Sequence, residues 1–261
     1  MAKVYLIFVF LILYSPIFYL AYHSFNSGGT MYNFEEFSLE WYQAVFQDTR
    51  LFVILLNTLT IALLAAVIST IIGVAGALAI TNTRRRRLRS TLLTLNNVMI
   101  VSPDVIIGAS FLILFAMLGM RLGFASVLIA HIAFSVPIVV LMVLPNLQEM
   151  SPNLIDAARD LGASGRDILT RVIIPYISPG IVAGFFMALT YSLDDFAVTF
   201  FVTGSGFTTL SVEIYSLARL GISLTINALS TLIFVVTLAL VLVYYAISKK
   251  AARPVSLEVE S

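Results

Sequence analysis

The apolar residues of this 261-residue chain fall into six long blocks, at about residues 4 to 22, 51 to 80, 92 to 118, 124 to 146, 180 to 203 and 226 to 247. A helix rises about 1.5 Å per residue, so about twenty apolar residues cross a hydrocarbon layer about 30 Å thick. The chain is 60% hydrophobic and 11% charged, whereas a soluble domain is typically about half apolar and one quarter charged. A single water-soluble core is excluded. The expected fold is all-α, a polytopic membrane protein with six transmembrane helices in one domain over residues 1 to 261, both termini on one side. The first block, Val4 to Tyr22, exceeds a signal-peptide core of about 7 to 15 residues and has no small-x-small site after it, so it reads as an anchor.

Fifteen basic residues nearly cancel fourteen acidic ones, which leaves no global field to attract nucleic acid. Their placement says more than their sum. Lys3, Arg84, Arg85, Arg86, Arg87, Arg89, Arg159, Arg166, Arg171, Lys249, Lys250 and Arg253 lie on one set of loops, twelve in all, against Arg50, Arg121 and Arg219 on the other. Basic residues near span ends stay in the cytoplasm, so both termini, the arginine run and the loop from about 147 to 179 are expected there. The arginine run also suits a nucleic-acid or lipid patch, but a stop signal beside a span accounts for it. The outer 23 to 50 segment is acidic, and its Trp41 and Tyr42 are read as interfacial anchors ahead of a docking surface.

Several chemistries drop out. The chain has no cysteine, hence no disulfide, thiol catalysis or Cys-ligated metal, and its two histidines, His23 and His131, are far apart. They read as packing or interface residues, and no metal site is expected. No glycine is followed by lysine, so there is no phosphate loop for ATP, and the H-E-x-x-H and G-x-G-D elements of membrane proteases are missing. No catalytic residue and no cofactor bound by this chain are expected.

The polar stretch from Ser151 to Gly180 carries two sets of helix punctuation. Ser151 suits an N-cap, Pro152 a first helical position and Gly162 a left-handed C′ position, giving a short helix from Pro152 to Leu161. Ser164 and Asp167 resemble a capping box, Pro175 is expected to stop the second short helix near Ile174, and Ser178 with Pro179 to open the next membrane helix. A ten-residue helix is marginal alone in water. Asp156, Ala157 and Ala158 keep its surface small, and Arg159 and Asp160 rim it with charge. On the residues alone, docking to another surface and lying on the membrane are equally served.

Ionisable side chains inside a span cost a few kcal/mol each on insertion scales, so they face a cavity or a partner. Asp104, Asp194 and Asp195 are the three in this chain. Asp104 follows Ser102 and Pro103, where a freed carbonyl invites a broken helix of the kind that lines transport paths, although a proline kink is often structural. Asp194 and Asp195 stand about 100° apart on a helix, so one can face a path while the other meets a subunit or a cap. Tyr191 and Phe196 add aromatic faces for a cationic, methylene-rich solute. A buried hydrogen-bond network is the competing reading. Around Val212, Ile214 and Leu217 the outer loop suggests a short surface or re-entrant helix, and Gly73 with Ala77, like Gly180 with Gly184, suggests close helix packing.

The run DAARDLGASGRDILTRVIIP resembles the cytoplasmic signature loop of ABC-importer permeases, E-A-A, three residues, G, nine residues, I-x-L-P. Ala157, Ala158, Gly162 and Pro175 match it, Asp156 stands for the Glu, and Val172 and Ile174 for the Ile and Leu. The segments SFNS at Ser24, MIVSPDVIIGASFLILF around Asp104, AARDLGAS through Ala163 and LTYSLDDFAVTFFVTG around Asp194 are similar to polyamine (spermidine/putrescine) permeases. This resemblance implies a coupling helix seated on an ATPase, with Asp156, Ala157, Ala158, Arg159, Asp160, Gly162, Ala163 and Pro175 in the coupling loop at 151 to 175. It further implies a second permease subunit in a heterodimer and two ABC ATPase subunits, which use ATP and Mg. An extracytoplasmic polyamine-binding protein and a place in a bacterial inner membrane follow from it as well. Asp104, Ser102, Tyr191, Asp194, Asp195 and Phe196 would then line the substrate path. A permease for another solute, such as iron or sulfate, is the near alternative. An ion-gradient-driven secondary transporter is the distant one, because no internal repeat is apparent.

Overall fold

The computed structural model describes residues 2–220 and 224–251. Arg253, one of the twelve basic residues assigned to the cytoplasmic set, lies outside them. The elements are helices: α1 (Ala2–His23), α2 (Glu40–Gln47), α3 (Thr49–Asn82), α4 (Arg86–Val101), α5 (Asp104–Met117), α6 (Phe124–Glu149), α7 (Pro152–Asp160), α8 (Gly165–Asp167), a π-helical turn (Ile168–Ile173), α9 (Ile174–Asp194), α10 (Ala197–Val202), α11 (Leu210–Leu220) and α12 (Leu224–Ala251). Among the described residues, the sole β pairing is one isolated bridge between Asn26 and Phe37. Four continuous helices, Val4–His23, Thr49–Asn82, Phe124–Glu149 and Gly165–Asp194, are long and apolar enough to cross a membrane. The chain divides into two compact units, Met1–Phe52 with Ile214–Ser261, and Val53–Glu213.

In the first unit, α1 packs beside α12, and the loop after α1 winds around one side chain. Asn26, 0% exposed, donates its carboxamide to the carbonyls of Thr30 at 3.0 Å and Asn33 at 2.8 Å, and accepts from the Glu35 amide at 2.7 Å. The Trp41 indole N–H donates to the Asn26 carbonyl at 2.8 Å, and the Tyr42 hydroxyl lies 2.6 Å from Ser24 Oγ. The polar ends of both aromatics are thus spent on folding this loop.

The second unit is built on α6 packed against α9. Opposed positions run in reverse order, so the two helices are antiparallel. A Cβ on Gly180 would lie 2.8 Å from the Met142 carbonyl, and one on Gly184 would lie 3.2 Å from Val139 Cγ1. From the other side, α3 brings Gly73 so close that a Cβ there would sit 2.6 Å from Val139 Cβ. Small residues allow this because lipid supplies no hydrophobic drive between helices, and close van der Waals contact takes its place. Buried Ala66, Ala77, Val139, Val143, Ile177 and Ala188 fill the seam. A second cluster, including Ile61, Ile107, Phe115, Phe134, Val198 and Val202, packs α5 and α10 onto α6. Hydroxyls within α3 bond back to their own helix, Thr70 to Ala66 at 2.6 Å and Thr81 to Ala77 at 2.9 Å, which pairs them without water.

The break invited by Pro103 is present, and two other expectations about helix ends are corrected. The block at 92 to 118 is two helices, α4 and α5, bent by 106°. Ser102 and Pro103 are extended, with ψ of 137° and 134°, because a residue before proline is pushed out of the helical region. Pro175 and Pro179 do not divide the following helix, which runs unbroken from Gly165 to Asp194. A π-helical turn over Ile168–Ile173 leads into Pro175, with the Ile174 amide bonded to the Leu169 carbonyl. Such a turn takes up the register that a proline without its N–H would break. The last break falls where no proline stands, after Asp194.

Candidate functional site

Two places in the second unit carry polar groups that the fold exposes. One is the α7 end. Ser151 and Pro152 open α7, Gly162 ends it at φ +80°, and Ser164 caps the next helix by accepting from the Asp167 amide at 3.2 Å. No residue of α7 is buried. Asp156, Ala157, Arg159, Asp160 and Gly162 are exposed, and Ala158 and Ala163 are partly so. Arg159 and Asp156 pair at 3.1 Å in the open, where such a pair contributes little. Leu161, 89% exposed, stands at the tip. Pro175 lies apart from this group, ten residues into the helix that begins at Gly165, or about 15 Å along its axis. The geometry is a short amphipathic helix held at both ends and open along its length.

The other place is where two helix breaks meet. Gly108, one turn beyond Asp104, would put a Cβ 3.0 Å from Val198 Cα and 3.2 Å from the Ala197 carbonyl. The start of α5 therefore lies against the start of α10. Ser102 Oγ donates to the Val98 carbonyl at 2.6 Å. Asp104 is exposed in the first turn of α5, where the helix dipole favours an anion.

The adjacent acids part company. Asp195 turns inward, its side chain 7% exposed. It accepts from the amides of Val198 at 3.2 Å and Thr199 at 2.8 Å and from the Thr199 hydroxyl at 2.7 Å, so it caps α10. Asp194 stays exposed as the last residue of α9, where unpaired carbonyls already concentrate negative charge. Neither Asp104 nor Asp194 has a hydrogen bond or ion pair among the described residues. Tyr191, 44% exposed, lies beside Phe134 with ring centroids 6.1 Å apart, and Phe196 beside Phe200 at 5.5 Å. Among the described residues no three His, Asp or Glu side chains converge as metal ligands.

Next to Asp195 lies a buried hydrogen-bond network of the kind that competes with the path reading, and His131, expected only as a packing or interface residue, stands at its centre. His131, Ser192 and Thr199 are buried, and the imidazole lies 2.6 Å from Ser192 Oγ and 2.8 Å from Thr199 Oγ1. The available signal was a histidine with several hydroxyl residues inside otherwise apolar blocks.

Apolar helices interrupted at acidic points define a multi-pass membrane protein of the transport kind. The chain belongs to the family of binding-protein-dependent transport system inner membrane components, whose model matches residues 69–253. It is 35% identical over 245 residues to the spermidine/putrescine transport system permease protein PotC of Escherichia coli K12, covering 94% of this chain and 92% of that protein. To the protein of the same name from Haemophilus influenzae it is 36% identical over 93% of this chain and 94% of the relative. The putrescine transport system permease protein PotI of E. coli K12 is 33% identical over 86% and 82%. Among solved structures, a bacterial ABC transporter involved in import of the acidic polysaccharide alginate superposes with a TM-score of 0.74 at 19% identity, covering 95% of this chain and 93% of that one. That likeness concerns the fold.

Proposed function

We propose that this chain is a permease subunit of an ATP-driven importer of polyamines. The carrying observation is the unpaired, exposed Asp194 at the C-terminal end of α9. Helix dipole and carboxylate there add to one negative site instead of cancelling, which attracts a cation and repels an anion. Asp104 and Ser102 stand at the neighbouring break, and Tyr191 and Phe196 offer aromatic faces to ammonium groups and methylenes. An anionic solute would find no lysine or arginine there. The names of the relatives support the same solute class.

The exposed α7 is assigned to an ATPase subunit. A helix of nine residues is marginal alone, and this one is ended by Gly162 and packs against the following π-helical turn, with its length left free for a groove. Asp156 through Gly162 would seat there. In this reading two ATPase subunits use ATP and Mg, a second and different permease subunit completes the path, and an external receptor delivers the polyamine. Closure of the ATPases on ATP moves α7, the helix Gly165–Asp194 carries that movement to the break, and hydrolysis resets it. The membrane is the bacterial inner membrane, with both termini and α7 cytoplasmic.

Liposomes holding the purified complex with internal ATP test this. Receptor loaded with spermidine or putrescine should stimulate hydrolysis and drive uptake. Uptake driven by an ion gradient without ATPase subunits would overturn the reading, as would stimulation confined to an iron- or sulfate-loaded receptor.

A further inference from the structure

We infer that His131 is a positioning residue for transport, locking the far end of the α6–α9 pair to the α9–α10 break so that movement of α7 reaches the break. The inference rests on the transport reading above.

The hydrogen bonds around the ring run in one direction. Thr199 Oγ1 donates its single proton to Asp195 Oδ2 at 2.7 Å. Its contact with His131 Nε2 at 2.8 Å is then one in which the ring nitrogen donates. In the neutral tautomer this leaves Nδ1 as the acceptor for Ser192 Oγ, 2.6 Å away. Ser192, His131, Thr199 and Asp195 form a chain in which each of these protons has an acceptor. His131 and Thr199 are 0% exposed and Ser192 3%, so water does not compete, and breaking one link strands buried polar groups.

One ring thereby ties α6, the last turn of α9 and the first turn of α10. The rest of the α6–α9 seam has no equivalent. Gly180 and Gly184 admit close approach there but carry no side chain to bond across it, and Asn146 bonds back within its own helix at 3.2 Å. His131 lies eighteen residues before Glu149, which closes α6 beside α7, or about 27 Å at 1.5 Å per residue. The pair of helices thus has α7 at one end and, among the described residues, its side-chain lock at the other, where Ser126 Oγ of α6 also lies 2.7 Å from the Val202 carbonyl of α10.

The test uses the complete reconstituted complex. His131→Leu keeps bulk and deletes both bonds, His131→Gln keeps a donor and an acceptor, and Thr199→Val removes the hydroxyl that joins the ring to Asp195, leaving His131 Nε2 and Asp195 Oδ2 3.5 Å apart. With His131→Leu and Thr199→Val, solute taken up per ATP hydrolysed should fall at least tenfold, with basal hydrolysis and the receptor concentration for half-maximal stimulation within about threefold of wild type. His131→Gln should recover most of the loss. Because the chain has no cysteine, Phe200→Cys on α10 gives a second readout that needs no transported solute. Its thiol-labelling rate should change with ATP in the otherwise unaltered protein and should stop responding in His131→Leu. Normal coupling in His131→Leu and Thr199→Val, or an ATP response at position 200 that survives both, would overturn the inference. Loss of uptake that only tracks loss of assembled complex, without recovery in His131→Gln, would do the same. If the unaltered complex moves no polyamine yet labelling at position 200 follows ATP and depends on His131, the solute assignment falls and the lock stands.

Discussion

Asp194 and Asp195 are chemically identical neighbours, and their surroundings give them different work. Asp195 has three donors within 3.2 Å. Its change to Asn would set an amide against the N–H groups of Val198 and Thr199, so Asp195→Asn should destabilise the folded subunit by about 1–3 kcal/mol, read as a lower thermal midpoint of the purified complex. Asp194 has no such partner, and Asp194→Asn should leave that midpoint in place. A hydrogen bond to a charged group contributes about 1.5–3 kcal/mol, so losing one ammonium contact should raise the half-saturating polyamine concentration by about tenfold or more. Equal loss of assembled complex in both variants would make Asp194 structural as well. The sequence singles out both acids because a carboxylate in an apolar block is costly, but it cannot separate them. No glycine or proline lies between Thr190 and Phe200 to announce the break. The break depends on a carboxylate that takes two amides and on His131, which lies 61 and 68 residues from its partners Ser192 and Thr199. No local pattern encodes that pairing.

The short elements were legible where their caps are local. Pro152 at the first helical position, Gly162 at φ +80° and Ser164, which accepts from the Asp167 amide, mark the ends of α7 and the start of the next helix through local backbone effects, whereas Ser151 precedes α7 without a side-chain capping bond. Pro175 and Pro179 misled for the complementary reason, since a π-helical turn and packing against α6 carry the helix through both. Gly162 gives the sharpest test at this scale. At φ +80°, a residue with a Cβ pays about 1–2 kcal/mol in the left-handed region, and a β-branched one more, whereas Asn tolerates it. Gly162→Val should re-aim Leu161 and lower receptor-stimulated hydrolysis several-fold while receptor binding is kept, and Gly162→Asn should stay near wild type. Equal activity of the two would remove the backbone argument. Along the seam, Gly180→Ala would place a methyl 2.8 Å from the Met142 carbonyl, an atom that moves only with its helix. Overpacking of this kind costs about 1–3 kcal/mol, so the thermal midpoint should drop, whereas Gly165→Ala, with nothing within 4 Å, should be far milder.

At the scale of the whole chain, topology turns on the bent pair α4 and α5. A pair bent by 106° is either one broken span or a re-entrant loop, and the two alternatives place α7 on opposite sides. If the pair crosses, the chain between Tyr32 and Leu161 traverses the membrane three times, through α3, the bent pair and α6, and these residues face opposite compartments. A re-entrant pair leaves two crossings and one shared compartment. The charges favour crossing. Arg84 and Arg85 precede the pair and Arg86, Arg87 and Arg89 lie in the first turn of α4, whereas only Arg121 follows the pair before α6, the asymmetry that holds a basic end in the cytoplasm while the far end is translocated. Tyr32 is 92% and Leu161 89% exposed, and the chain has no cysteine, so Tyr32→Cys and Leu161→Cys each supply a unique accessible thiol. A membrane-impermeant maleimide added to intact spheroplasts should label position 32 at once, and position 161 only after permeabilisation. Labelling of both from outside would make α4 and α5 re-entrant. The reverse order would place α7 on the external face, beyond reach of ATP, and with it the coupling role of that helix would fall.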